Sequence, residues 1–214
     1  MSALVSALVS ALFVKICYGE IMKKFLIYLI LILLNFSVST YANDVRDFEI
    51  EGITIGDSLL DHFSKNEIKN FTITTYQNNT DEYFMLTGAE DKSQEYDSLS
   101  FHVKKNDNQY IVHSISGSLY YEKNFNKCFN KKKIIVESLK SNFRNLKPNE
   151  YDYKYNWDKK SIAYISDFDF KNGAVRVYCV NWSEVTEKKR NFTDNLSVTI
   201  QINYFTEWLN NKTN

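Results

Sequence analysis

The pattern of this chain predicts an α+β domain: a mostly antiparallel sheet with two main helices packed on one face. Three observations carry that prediction. Asn172-Gly173 sits between two alternating runs, and Asn-Gly is the strongest short hairpin cue because both positions of a type I′ turn need φ > 0. Phe125, Cys128, Phe129, Lys132, Ile135, Leu139 and Phe143 recur at three- and four-residue steps, the spacing of an amphipathic helix. The remaining chain reads as strand, helix, several strands, helix, further strands and a short terminal helix, an order typical of α+β packing. One helix followed by antiparallel strands occurs twice and hints at two similar halves, split near Tyr121.

Residues 1–42 read as lying outside the domain. Met22-Lys23-Lys24 is a basic start, Phe25 to Leu34 is apolar, and Thr40-Tyr41-Ala42 places small residues at the −3 and −1 positions of a cut before Asn43. Together these predict a secretory signal peptide. Met22 is the expected true start, with residues 1–21 an extension; an atypically extended signal is the alternative. The apolar run is shorter than the roughly 20 residues a membrane span needs, and no cysteine follows it to carry a lipid. An uncleaved anchor is the alternative here. The expected location is therefore periplasmic or secreted, with no membrane contact after cleavage.

Residues 43–214 are expected to form a single domain. Its 172 residues suffice to bury a sizeable core. They carry 23 basic and 25 acidic residues, so no basic footprint for nucleic acid exists.

Phe48 to Ile55 alternates and predicts a strand, ended by Gly56. Asp57 or Ser58 then caps a helix to about Ile68, with Ser58 and Asp61 spaced like a weak capping box. Phe71 to Tyr76 and Tyr83 to Leu86 are strand candidates around a turn at 78–81, and Gly88 to Asp97 is a polar loop. Ser98 to Lys104 and Tyr110 to Tyr121 make a hairpin in which His113 is expected on the buried face and His102 on the outer one. The Cys128 helix runs from about Asn124 to Arg144, and Pro148 marks the loop beyond it.

The central hairpin follows. A loop at Asn172-Gly173 would set Asp169 opposite Arg176 and Ser166 opposite Cys179. One face would carry Phe168, Phe170, Val175, Val177 and Cys179, the other Asp167, Asp169 and Arg176. Ser183 to Lys189 is a helical turn, Leu196 to Tyr204 a last strand, and Phe205 to Leu209 a terminal helix.

Cys128 and Cys179 thus lie on facing apolar surfaces of helix and sheet. Reduced, they would act as small hydrophobes. Export favours the oxidised pair, and only these two cysteines remain after cleavage, so a Cys128–Cys179 disulfide is expected. Closing a loop of roughly 50 residues stabilises by about 4 kcal/mol on the chain-entropy account.

Tyr151, Tyr153, Tyr155 and Trp157 alternate with polar residues, which puts four aromatics on one side of a strand. They are either a covered core face or an exposed strip that stacks on a sugar or receives a partner strand. This strip is the expected binding locus, with a protein or a carbohydrate as partner. No His or Cys spacing suits a metal, and neither a cofactor nor a catalytic residue is expected.

Ile55-Gly56-Asp57-Ser58-Leu59 resembles the first block of the GDSL-type (SGNH) esterases, which would make Ser58 a nucleophile. The family's Gly-x-Asn-Asp and Asp-x-x-His blocks are absent, and a helix cap explains the string.

Several stretches together resemble a family of small uncharacterised secreted proteins of marine alphaproteobacteria. They are Asp47 to Ile53 leading to Gly56-Asp57-Ser58-Leu59-Leu60, the Cys128 helix, Val177 to Ser183, Asp194-Asn195-Leu196 and Trp208-Leu209. The resemblance implies export and one paired-cysteine fold, and brings no known activity. The Gly-Asp-Ser stretch is also faintly similar to small envelope-assembly lipoproteins. The function expected from all this is a periplasmic binding or interaction module. A Ser58 esterase and a membrane-held structural protein of the envelope are the alternatives.

Overall fold

The computed structural model describes residues 44–76, 82–122, 124–143 and 146–213. The expected extension and signal segment, residues 1–42 with the cut before Asn43, lie outside the described residues, as does the turn expected at 78–81.

The fold is α+β. A small ribbon pairs β1 (Glu49–Ile50) with β2 (Ile53–Thr54). The main sheet contains β3 (Thr72–Thr74), β4 (Tyr83–Gly88), β5 (Ser98–Lys104), β6 (Ser114–Tyr120), β7 (Asn149–Tyr155), β8 (Asp158–Phe170), β9 (Gly173–Asn181) and β10 (Asn195–Ile202). All its pairings are antiparallel, in the order β3-β4-β5-β6-β10-β9-β8-β7. The first four strands form one meander and the last four another. They join where Leu119 of β6 faces Leu196 of β10 and Ile115 faces Ile200. α1 (Lys65–Asn70) precedes the first meander and α2 (Phe125–Asn142) the second. Two similar halves meeting near Tyr121 are therefore present in the topology.

Side-chain alternation gives the sheet one apolar and one polar face. Leu86, Leu99, Phe101, Ile115, Phe168, Val177, Leu196 and Ile200 point to the apolar face and are buried. The segment around α1 covers one half of that face, where the Phe63 ring meets Phe71 at 5.3 Å and Phe101 at 5.8 Å. α2 covers the other half. Its Asn124 side chain caps the helix by accepting from the Lys127 N–H. The disulfide joins Cys128 to Cys179, with Cα atoms 6.1 Å apart and both residues fully buried. That bond sets the rotation of α2, so its buried line is Cys128, Lys132 and Val136, while Phe129 on the expected stripe is exposed. The Lys132 ammonium is satisfied by donating to Ser166 Oγ at 2.6 Å.

The central hairpin departs from its expected register. Phe170 pairs with Gly173, so the loop is Lys171-Asn172, and Arg176 faces Asp167 rather than Asp169, Cys179 facing Tyr164 rather than Ser166. The pairing moves by two residues, which leaves every side chain on its expected face. Neither Asn172 nor Gly173 takes a positive φ. Asn172 is instead a clamp: its Oδ1 accepts from the Val45 N–H at 3.0 Å and its Nδ2 donates to Asp44 Oδ1 at 2.6 Å. Gly173 is small because a Cβ there would run into the Gln201 carbonyl oxygen.

Other corrections are local. The strand expected over Phe48 to Ile55 is the β1–β2 ribbon, folded back at Glu51-Gly52 with φ of 54° and 75°. The helix expected to Ile68 is split into a 3-10 turn, Leu59–Asp61, capped by Ser58, and α1, capped by Ser64 in a true capping box with Glu67. The helical turn expected over Ser183 to Lys189 is a seven-residue helix, α3 (Glu184–Arg190), with Ser183 as its cap. The terminal helix, α4 (Asn203–Thr213), is longer than expected and lies on the polar face. There the Phe205 ring sits 4.4 Å from His102 and 5.3 Å from Tyr83, and Trp208 lies 5.0 Å from Tyr83. His102, expected to face out, is thereby buried, and His113, expected to be buried, is only half-buried. Among the described residues no helix is long and apolar enough to cross a membrane.

Candidate functional site: a trough on the open half of the sheet

Among the described residues, α4 packs over the β4–β5 end of the polar face, and a depression remains beside it. The result is a trough of about 550 Å³, floored by the middle strands and walled by α4 on one side and β7 on the other. Its floor carries the hydroxyls of Ser100, Ser116, Ser118 and Thr199, each paired with a hydroxyl on a neighbouring strand. Ser116 Oγ lies 2.7 Å from Thr199 Oγ1, Ser118 Oγ lies 2.8 Å from Ser197 Oγ, and Thr87 Oγ1 lies 2.9 Å from Ser100 Oγ. Each pair spans two strands and uses one of its two hydroxyl protons in the bond between them, so hydrogen-bonding capacity remains for a bound group.

The β7 wall contains the aromatic strip. β7 is the last strand of the sheet, and Tyr151, Tyr153 and Tyr155 point across the trough with Tyr178 of β9. Tyr151 and Tyr153 are 37% and 44% exposed, which makes the strip a surface and not a core face. Trp157 departs from the expectation. It lies beyond β7, in the turn before β8, at 49% exposure. Its ring stacks on Trp182 at 5.9 Å and lies under the Arg190 guanidinium at 4.3 Å. Tyr155 bridges the two groups, 5.2 Å from Tyr153, 5.3 Å from Trp157 and 4.8 Å from Trp182. Ala163, Ile165 and Val180 form a small apolar cluster behind these rings. The Asp158 carboxylate fixes the corner by accepting from Ser161, Ser183 and Thr186 hydroxyls, bonds that hold its pKa well below the usual carboxylate range.

Charge in the trough is internally balanced. Arg176 donates from Nε and Nη2 to the two oxygens of Asp167 at 2.7 and 2.8 Å, and Tyr151 Oη donates to Asp167 Oδ2 at 2.9 Å. Burial pushes the phenols of Tyr151 and Tyr155 up, so both are O–H donors at any physiological pH. His102 is neutral for the same reason: burial pushes it down to about 3. One of its ring nitrogens meets the Tyr76 hydroxyl, while Nδ1 has no partner among the described residues. The same holds for Ser114 Oγ, directly opposite on β6. Both residues line the trough.

Ser58 is far from chemistry of this kind. Its Oγ donates to the Gln109 carbonyl at 2.6 Å and accepts from the Leu60 N–H at 3.2 Å, so both bonds go to backbone. His62 turns instead to Asp57, with Nε2 and Oδ2 3.3 Å apart. Ser58→Ala is expected to lower stability by about 1 kcal/mol, the worth of a cap, as measured by urea unfolding. Among the described residues, no group of three or more His, Cys, Asp or Glu is placed to hold a metal ion.

Sequence reasoning found the strip and missed the floor. The signal was present: Ser98, Ser100 and His102, then Ser114, Ser116 and Ser118, then Ser197, Thr199 and Gln201, put polar groups at every second position of three strands. Only the β6–β10 and β5–β6 pairings bring these rows side by side. Against protein-family models, curated proteins and solved structures alike, the chain finds no match.

Proposed function

We propose that the chain is an exported binding module, working in the periplasm or outside the cell, and that the trough on its open sheet face receives a protein partner. The carrying observation is the make-up of that face: a tyrosine and tryptophan wall beside a serine and threonine floor. Tyr and Trp give large, rigid, amphipathic contact area, and Ser gives adaptable hydrogen bonds, the combination that suits protein recognition. The ring geometry favours a protein over a sugar. Tyr153 meets Tyr155 at 82° and Trp157 stacks on Trp182 at 22°, so rings pack on one another and leave few flat faces free for a sugar to cover. Export is supported by the Cys128–Cys179 bond, since disulfides persist in oxidising compartments.

The test selects phage-displayed peptides on the full chain, alongside a panel of soluble polysaccharides. Peptides are expected to be retained, and Tyr153→Ser or Tyr178→Ser to weaken them about thirtyfold each, the loss typical of a central aromatic anchor. Retention of a polysaccharide instead, with the same loss in both variants, would make the ligand a carbohydrate and overturn the choice of partner. Peptide binding indifferent to both substitutions would remove the trough from the account.

A further inference from the structure

We propose that β7 pairs with β7 of a second copy of this chain, antiparallel and two-fold about Tyr153. Among the described residues β7 is hydrogen-bonded on one side only, to β8. Its free edge is seven residues long and contains no proline, whereas β3 at the other end of the sheet has three residues. A long open edge offers a row of unpaired N–H and C=O groups to another strand.

The sequence of β7 selects the partner. Tyr151, Tyr153 and Tyr155 alternate with Glu150, Asp152 and Lys154. Opposed residues in an antiparallel pair share a face, so the aromatic and charged rows stay separate only when aromatic faces aromatic. Two-fold symmetry makes every pairing reciprocal. An axis at Tyr151 sets Glu150 against Asp152. An axis at Asp152 or at Lys154 sets that residue against its own copy. Each of those registers opposes like charges. The axis at Tyr153 does not: Asp152 meets Lys154 twice, Tyr151 meets Tyr155 twice, and Glu150 meets Asn156. Asp152 and Lys154 are exposed, and neither makes a hydrogen bond or ion pair among the described residues, while Glu150 is engaged by Lys140 at 3.6 Å. Of the three charges on β7, the two that this register uses are thus the two without a hydrogen bond or ion pair among the described residues, Asp152 acting only through space on Lys132. β7 keeps its register with β8 up to Lys154, so the central Asp152–Lys154 pairs lie on regular strand, and the outer Tyr151–Tyr155 and Glu150–Asn156 pairs reach across the shift that follows. Pairing would place the two aromatic strips next to each other on one continuous open face, and it holds whatever the trough binds.

Sedimentation equilibrium of the full chain with its own N-terminus tests this. The wild type is expected to dimerise. Asp152→Lys or Lys154→Asp alone turns two attractive pairs into two repulsive ones and is expected to raise the dimer dissociation constant about tenfold or more. The double variant D152K/K154D swaps the charges back into register and is expected to return to within about threefold of wild type. Circular dichroism checks that all three fold, which their exposed positions favour. A monomeric wild type, or a double variant no tighter than the single ones, would overturn the proposal.

Discussion

Replacing Cys128 and Cys179 together by alanine is expected to lower the unfolding free energy by about 4 kcal/mol. The two residues are 51 positions apart, so the bond removes the freedom of a long loop from the unfolded chain. It also fastens α2 to β9 at a point where both cysteines are fully buried beside Leu196. Loss of the bond acts on the unfolded state and on packing at once. Urea unfolding of oxidised, reduced and doubly substituted protein measures it. The reduced and substituted forms should fall together, with a steeper dependence on urea, because an uncrosslinked unfolded chain exposes more surface. A change below about 1 kcal/mol would show that the loop was already constrained by other contacts.

Acid should weaken the fold well before carboxylates titrate, and His102 is the reason. Its folded pKa is about 3 against an ordinary 6.5, because burial under Phe205 disfavours the charged ring. The unfolded chain therefore binds one proton more than the folded chain between those values. Stability is full above about pH 6.5 and falls as pH drops, by up to about 1.4 kcal/mol per unit. Half-buried His113 is shifted in the same direction, chiefly by burial, and steepens the fall. Urea unfolding between pH 7.5 and 4.5 reads the slope, and His102→Gln, which keeps a polar partner for the Tyr76 hydroxyl, should flatten it. A slope unchanged by that substitution would place the acid sensitivity elsewhere.

Much of the architecture is legible in the sequence because it depends on short periods. Alternation sorts Val175, Val177 and Cys179 from Arg176 and Tyr178 without knowledge of any partner strand, and helical spacing puts Cys128 toward the sheet. What fails is what depends on distant segments. Asn172-Gly173 carries a local turn signal, yet Asp44 and Val45, from the start of the domain, and Gln201 of β10 determine what those residues do. His102 alternates outward on β5, and contacts from Tyr76 before it and from α4, a hundred residues later, bury it. The strip on β7 was found by alternation, but its exposure follows from β7 ending the sheet, which strand order alone decides. The trough joins all of these distant effects, so its floor could be read only once the two meanders were seen to meet at β6 and β10.

The most direct test of the proposed contact surface is photocrosslinking in the cells that make the chain, with the reactive residue placed at Ser116, at Tyr178 or at Ile134. The first two face the trough, and Ile134 is exposed on α2, on the opposite side of the sheet. A discrete adduct to a second protein from Ser116 and Tyr178, with none from Ile134, is the expected result. Adducts from Ile134 alone, or none from the trough positions, would contradict the claim that the open sheet face is where this protein works.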